Sequence, residues 1–479
     1  RISHYHAIPG NVPGKAIHLL GINCSRHHSP SCLQIRCIMN IHIKKHEKGQ
    51  IVVILVLAFV GILGFVAIAV DGGMIFSDRR YDQNAADASA LAGAGVAAQY
   101  LENEEINWTN FDCGSSTVHA AEDLAVAKAQ ERAAANNFTL ETTLDNQHGV
   151  IVNCVDDDWT GSYDEKYLEV QVMVSSDVNT SFAHLFYNGR IRNTVEAVAR
   201  IRPRTSMTFG YAIAALREDC PNSSTGGVNF DGGGHTDANV TIFNGGIYSA
   251  ACMRGNGSVA VYSDTEIGNY YTTDLNLVGG ATVSPYPQKA TEDLPDFSLD
   301  PPNCSGLTNF GEVKKPDAAH PIGPGIYSKI TVGNNDDLVM NPGLYCVGAF
   351  SISGGTVTGS GVTIYMNGTG SNDRFSVSGG TVNLESPGDD SLSPALKGVL
   401  IYMGHESSVN LGGNADSYYA GTVYAPHALI DVGGTSQINP TFSTQLIGDT
   451  VIVHGTARID INFDLSSIFQ DPSYVDLYR

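Results

Sequence analysis

Basic residues are scarce in this chain: 27 Lys and Arg stand against 49 Asp and Glu, a formal net charge of −22. Without a basic stripe to release counterions, binding to a phosphate backbone is excluded as its business, and no nucleic acid is expected as partner. Catalytic signatures are missing too. Gly-x-Ser-x-Gly, His-Glu-x-x-His and Gly-x-x-x-x-Gly-Lys do not occur, nor does an EF-hand loop, so hydrolase, zinc-protease, nucleotide and calcium-switch readings have no motif to stand on. The acidic groups Asp156, Asp157 and Asp158, Asp336 and Asp337, and Asp389 and Asp390 are runs of adjacent residues. Neighbours on an extended chain point to opposite faces, so they read as solvated loop carboxylates and not as a paired acid and base. The expectation is a protein without cofactor or metal that is not an enzyme. Long apolar runs are absent as well, with one exception.

That exception is Ile51 to Val70. About twenty apolar residues at 1.5 Å rise span roughly 30 Å, the hydrocarbon thickness of a bilayer. Lys44, Lys45 and Lys48 precede the run, which predicts a cytoplasmic N-terminus and an extracytoplasmic remainder. A cleaved signal peptide is the competing reading, because Ala67-Ile68-Ala69 fits a small-x-small cleavage site, but the run exceeds the usual length of such segments. Residues 1–38 differ in composition, with Cys24, Cys32, Cys37 and several histidines, and read as a non-native or disordered leader before Met39. A zinc site from Cys24, His27, Cys32 and Cys37 is the alternative, at a spacing that matches no closed zinc pattern.

Past the run, Asp71 to Ala98 is helix-compatible, and Ala85, Ala88, Leu91 and Ala92 recur at three- and four-residue steps, predicting a narrow face for close helix packing. A second helix is predicted over about Val118 to Asn136, with Val118, Ala121, Ala125 and Ala129 at helical spacing. Alternation predicts strands at 167–174 and 194–200, with a short turn at Ser181 to Phe186 between them, where His184 is a packed or solvated residue. Six cysteines lie beyond the run: Cys113, Cys154, Cys220, Cys252, Cys304 and Cys346. An even number outside the membrane permits disulfides, and the sequential pairing keeps each loop local, with reduced buried thiols as the alternative.

The segments Glu47-Lys48-Gly49-Gln50, Val70-Asp71-Gly72-Gly73 and Gln83 to Ala92, flanking and following the apolar run, resemble the N-terminal signature of the TadE/TadG-like proteins of tight-adherence, Flp-type pilus systems. The positions that carry it are Gly49, Gln50, Asp71, Gly73, Gln83, Asp87, Ala90 and Leu91, and a weaker likeness extends to about residue 205. The resemblance implies an envelope-anchored pilus-assembly or surface protein of a bacterium, with other pilus-assembly or envelope proteins as partners. Two features depart from that family. The only Asp-x-Ser-x-Ser match, Asp389 to Ser393, follows Ser-Pro-Gly and not a buried strand, so it reads as a polar loop. The apolar run also lacks the early glutamate of a processed type IV prepilin.

After about Pro203 short β-prone runs alternate with glycine, which numbers 52 in the chain. Phrases recur: Gly246 to Ser249 returns as Gly325 to Ser328 and, varied, as Pro342 to Tyr345. Ser353-Gly-Gly-Thr-Val357 returns as Ser378-Gly-Gly-Thr-Val382, and Ile364-Tyr-Met366 as Ile401-Tyr-Met403 and Val423-Tyr-Ala425. Such repeats predict a β-helix or solenoid, with a β-sandwich second. Val451 to Gly455 and Ala457 to Phe463 read as late rungs, and Tyr270, Tyr271, Tyr418 and Tyr419 as packing residues or a ligand surface. The predicted fold class is thus α+β followed by all-β. Its parts are a basic cytoplasmic segment at 39–50, a transmembrane helix at 51–70, an α+β membrane-proximal module at 71–205 and a β-rich extracytoplasmic domain at 206–479. The predicted function is a non-enzymatic pilus-assembly or surface adhesion protein of the bacterial cell membrane, whose distal ligand is left open between a surface glycan and a protein. A glycan-active β-helix enzyme and a minor structural subunit of the pilus are the alternatives.

Overall fold

The computed structural model describes residues 50–478 apart from 145–147, 157–165, 184–189, 222–225, 233–237, 266, 292, 296, 371, 415, 435–440 and 456–457. The leader, its cysteines, residues 39–49 of the basic segment, Asp157, Asp158 and His184 lie outside the described residues.

Helix α1 runs from Gln50 to Asn103. From Ile51 to Val70 its large apolar side chains stand exposed, Phe65 at 77% and Ile68 at 73%. An apolar stretch of this extent is stable only where water is absent, and it is the one helix among the described residues long and apolar enough to cross a membrane. It fits a membrane-anchored protein.

From Val70 onward the chain forms one unit. Helix α2, Ser116–Ala135, starts where the Ser115 hydroxyl accepts the Val118 N–H, and buries Val118, Ala121, Ala125, Ala129 and Ala133, the predicted face extended by one turn. Strands β1 (Gly149–Asp156), β2 (Lys166–Val178) and β3 (Ile191–Arg202) form an antiparallel sheet, with Val170 opposite Val152 and Ala199. Alternate residues Leu168, Val170, Val172 and Val174 face the helices and are fully buried. A fourth strand comes from the far end of the chain. Tyr474–Leu477, which the sequence reading leaves in the distal stretch, pairs antiparallel with β3. Its neighbour Tyr478 covers the Arg200 guanidinium at 4.0 Å, on a side chain that also stacks on Tyr167 and bonds Glu169 at 2.8 Å.

The chain leaves this module through Thr205–Ser206 and returns through Gln470–Asp471, and these two short segments pair antiparallel. Between them lies a mostly β domain whose described strand pairings within its large sheet are all parallel. They make three ladders. One runs Val313, Ile330, Phe350, Phe375, Val409, Ile430, Val451, Val228, Met253, Leu275. A second runs Asn309, Ile326, Cys346, Tyr365, Tyr402, Tyr424, Ile447, Ala214, Tyr248, Tyr270, Gln288. The third runs Val339, Thr358, Asn383, Tyr418, Thr441, Asp460, Thr241, Tyr262, Ser284. Inward side chains of all three, among them Phe350, Val451, Ile364, Ile401, Val382 and Ile461, belong to one buried core.

Two of the recurring phrases lie on their copies, whereas Gly246 to Ser249 and Gly325 to Ser328 stand on strands that pair with other neighbours and not with each other. Ile364-Tyr365-Met366 is in register with Ile401-Tyr402-Met403, and Thr356-Val357 with Thr381-Val382. The Gly-Gly pairs are the corners between ladders. Gly355 has φ +70°, and a Cβ there would sit 2.1 Å from the Asp336 carbonyl oxygen, so only glycine fits.

The order of the ladders is not that of the chain. Residues 211–289 run from the middle of the stack to one end. The chain then crosses to the opposite end at Asn309 and returns to the middle, where Leu446 pairs with Ile213, Val451 with Val228 and Ile459 with Val240. The crossing covers ten strand spacings, about 48 Å. Twenty-one residues reach about 70 Å fully extended but only about 32 Å as a helix, so the segment must stay extended. It does, and its apolar side chains cover the outward tyrosines of the second ladder. Tyr402 donates to the Leu299 carbonyl at 2.8 Å, Tyr248 accepts the Leu294 N–H at 3.2 Å, and burial pushes both phenols up to about 12, so they remain protonated. Tyr270 and Tyr419 are buried packing residues.

Disulfides join Cys113 to Cys154, Cys220 to Cys252 and Cys304 to Cys346, the last fixing the far end of the crossing. The joint at mid-stack should dominate stability. Leu446→Ala, at a fully buried joint residue, is expected to cost about 2–5 kcal/mol. Val278→Ala, 48% exposed, should stay within about 0.5 kcal/mol. Chemical unfolding of both variants checks the contrast.

Candidate functional site

The residues singled out by sequence along α1 fall into two zones of the helix, and structure divides them by burial. Positions 71, 75, 78, 82, 86, 89, 93, 97 and 101 follow steps of three and four residues and so share one face. Its upper part is polar. Asp71, only 6% exposed, accepts backbone N–H bonds from Ser181 at 2.7 Å, Phe182 at 3.0 Å and Ala183 at 2.6 Å. Three consecutive amides converging on one carboxylate form a small anion cradle, which fixes the loop between β2 and β3 to the helix. Gln83 donates to Asp87 at 2.7 Å and to the Glu196 carbonyl at 3.2 Å, tying α1 to β3.

The lower part is small. Ala85, Ala86, Ser89, Ala90, Ala94, Ala97, Ala98 and Leu101 are buried, and at Gly93 a Cβ would meet the Ala125 carbonyl oxygen at 2.7 Å and Val170 at 3.2 Å. Here α1, α2 and β2 meet too closely for any side chain. The face expected from Ala85, Ala88, Leu91 and Ala92 is therefore corrected: Ala85 belongs to it, Ala88 and Ala92 sit at its margin, and Leu91 is 41% exposed. Both sets obey helical spacing. The difference is a rotation of the helix, which spacing alone does not fix when nearly every residue is small. Gly73 is exposed with open space around it, and Gln50 begins α1. Asp82, fully buried on the same face, and Ser176, which binds it, carry no motif signal.

The acidic groups of the sequence stay apart and are used locally. Asp156 accepts the Cys113 N–H at 2.7 Å, Asp336 the Gly333 N–H at 2.7 Å and Asp389 the Ser391 N–H at 2.8 Å. The Ser391 hydroxyl and amide hold Asp389 below the usual carboxylate range. Asp389 to Ser393 is a short 3₁₀ turn in a polar loop, as the sequence reading has it. Among the described residues no group of His, Cys, Asp and Glu is placed to hold a metal ion. A cleft lined by Glu102, Asp390, Lys397, Asp464 and Arg204 borders the pairing of Thr205–Ser206 with Gln470–Asp471. Asp464 there is already bonded to Ser466 at 2.8 Å and Ser467 at 2.9 Å.

Residues 49–98 match the family model of the TadE/G-like Flp pilus-assembly domain. Residues 333–467 match a domain of unknown function, DUF7305. No curated protein and no solved structure matches the chain. The first match ends within the small-residue zone of α1, and the second covers most of the ladders that follow the crossing.

Two paired outcomes test the packing of this helix. Gly93→Ala should destabilise by about 1–3 kcal/mol through overpacking. Gly95→Ala, at an exposed helical position with nothing within 4 Å, should stabilise by about 0.5–1 kcal/mol. Asp71→Ala leaves the cradle amides without their acceptor and should cost about 1–3 kcal/mol. Thermal unfolding of the three variants in the same detergent or nanodisc checks all of them.

Proposed function

We propose, from the TadE/G-like pilus-assembly segment that the chain carries at residues 49–98, that this is a non-enzymatic envelope protein of a pilus-assembly system. Ile51 to Val70 is its single membrane span, the N-terminus lies in the cytoplasm, and everything after Asp71 is extracytoplasmic. The lysines before the run favour that orientation. So do the three disulfides, which persist in oxidising compartments and are rare in a reducing cytosol.

In this reading the parallel ladders form a β-helix that presents a surface for adhesion, and its partners are pilus-assembly or envelope proteins together with a surface glycan or protein. The observation that carries it is the family-matched helix itself. One continuous α1 holds the exposed apolar stretch and the face on which the sheet, and through the sheet both connections to the ladders, are built.

Deletion of the gene should abolish surface filaments counted by electron microscopy, and antibody against the ladders should label the envelope of intact cells. Decoration of the filaments themselves would make the protein a minor pilus subunit instead. Turnover of a polysaccharide panel by the purified full-length chain, lost on changing cleft carboxylates such as Asp464 to Asn, would establish the glycan-active alternative.

A further inference from the structure

Two carboxyl groups of α1 converge on one hydroxyl of β2. Ser176 Oγ lies 2.5 Å from Asp78 Oδ2 and 2.6 Å from Asp82 Oδ2. A serine hydroxyl has one hydrogen and can donate to only one of them. The other short contact needs a hydrogen from the opposite side, from a carboxyl O–H donating to the serine oxygen. Burial decides which carboxyl carries it. Asp82 has no accessible surface, whereas Asp78 is half-buried and accepts a further bond from Asn193 Nδ2 at 3.3 Å. The remaining oxygen of Asp82, Oδ1, is buried and has no hydrogen-bond partner. An ionised carboxylate would leave charge on that desolvated oxygen, while a neutral acid leaves only a carbonyl oxygen there.

Among the groups facing this cluster, His148, ahead of β1, accepts the Ser175 N–H on Nδ1 at 3.2 Å, and positive charge on its ring opposes the effect of burial on Asp82. On β2, Asp177 is paired with Arg190 at 2.7 Å and Arg192 at 3.0 Å. On α1, Gln83 is committed to Asp87 and the Glu196 carbonyl, and on β3 Asn193 donates to Asp78 and to the Ile75 carbonyl. Burial first, with Asp78 adding to it, raises the Asp82 carboxyl above its ordinary range, against the Ser176 bond and the nearby His148.

We propose that Asp82 is a neutral carboxylic acid in the native protein, and that the relay Asp82 to Ser176 to Asp78 is a proton-dependent fastener of α1 to β2. Asp82 Oδ2–H donates to Ser176 Oγ, and Ser176 Oγ–H donates to Asp78 Oδ2. Loss of the one proton removes one of the two bonds and sets two carboxylates against a single hydroxyl. Asp82 holds its proton more tightly folded than unfolded. Stability therefore falls as pH rises from the ordinary carboxylate value to Asp82's own folded value, and is flat above it.

Infrared difference spectra of the full chain in nanodiscs test this. At pH 6 the wild type should show a protonated-carboxyl C=O band that is missing in Asp82→Asn and disappears in the wild type as pH is raised. Ser176→Ala, which removes the acceptor of that acid, should shift the band without abolishing it, and this readout stands even where Asp82→Asn folds poorly. Thermal unfolding should show the wild type losing ground to Asp82→Asn as pH is raised above the ordinary carboxylate range. A pH 6 wild-type spectrum with no such band, or a band unchanged in both variants, overturns the proposal.

Discussion

The rest of the distal domain depends on one joint, the pairing of the strands that contain Leu446, Val451 and Ile459 with those that contain Ile213, Val228 and Val240. These pairs are more than two hundred residues apart in sequence. They join the stretch that runs outward before the crossing to the stretch that runs back after it, so all three ladders are continuous through this level. Without it each stretch would end in an open strand edge with unpaired amides and carbonyls. Closing so long a loop costs entropy that local turns do not, and the strands 205–206 and 470–471 reduce the problem by pairing beside the joint. Fixing the module therefore also fixes where the two stretches meet.

The crossing follows from the same topology. A chain that starts in the middle of a stack and must finish there has to travel the whole length once without joining the ladders. That requirement explains why Ala290 to Thr308 forms no helix or strand among its described residues, and why its apolar side chains lie over the tyrosines of the second ladder. The tyrosines are amphipathic: their rings pack under the segment while their hydroxyls bond to its backbone, so a stretch without secondary structure of its own still has its polar groups met.

Much of this was legible in the sequence where the pattern was local. The repeated Ile-Tyr-Met phrases and the Thr-Val ends of the Ser-Gly-Gly-Thr-Val phrases lie in register because residues in successive paired strands meet the same kind of neighbour, so the same side chains suit each. The α2 face was legible because Val118, Ala121, Ala125 and Ala129 recur at helical spacing in an alanine-rich stretch, with larger charged residues at other positions around the helix. In α1 after Asp71 that contrast is missing. Alanine lies on every side, and only the contacts of Gly93 with Ala125 and Val170 show which side is inward. The strand Tyr474–Leu477 has too little apolar alternation to announce its partner, since three of its four residues are exposed. Its place is set by β3, the edge it covers, and such pairing is written in the partner as much as in the segment.

The division of the two family matches has a physical counterpart. The TadE/G-like segment ends on the face where α1 meets α2 and β2, and the DUF7305 match begins at Gly333, beside the first Gly-Gly corner after the crossing. Neither match includes residues 211–289, yet those strands are held to the others by the same in-register parallel pairing. In the ladders one kind of contact is repeated from strand to strand, whereas on the helix face each contact is single: Asp71 reaches the amides at 181–183, and Gly93 admits the backbone of α2. Constraint is thus concentrated on the helical end, where one residue serves one contact, and relaxed in the ladders, where many residues serve the same kind of contact.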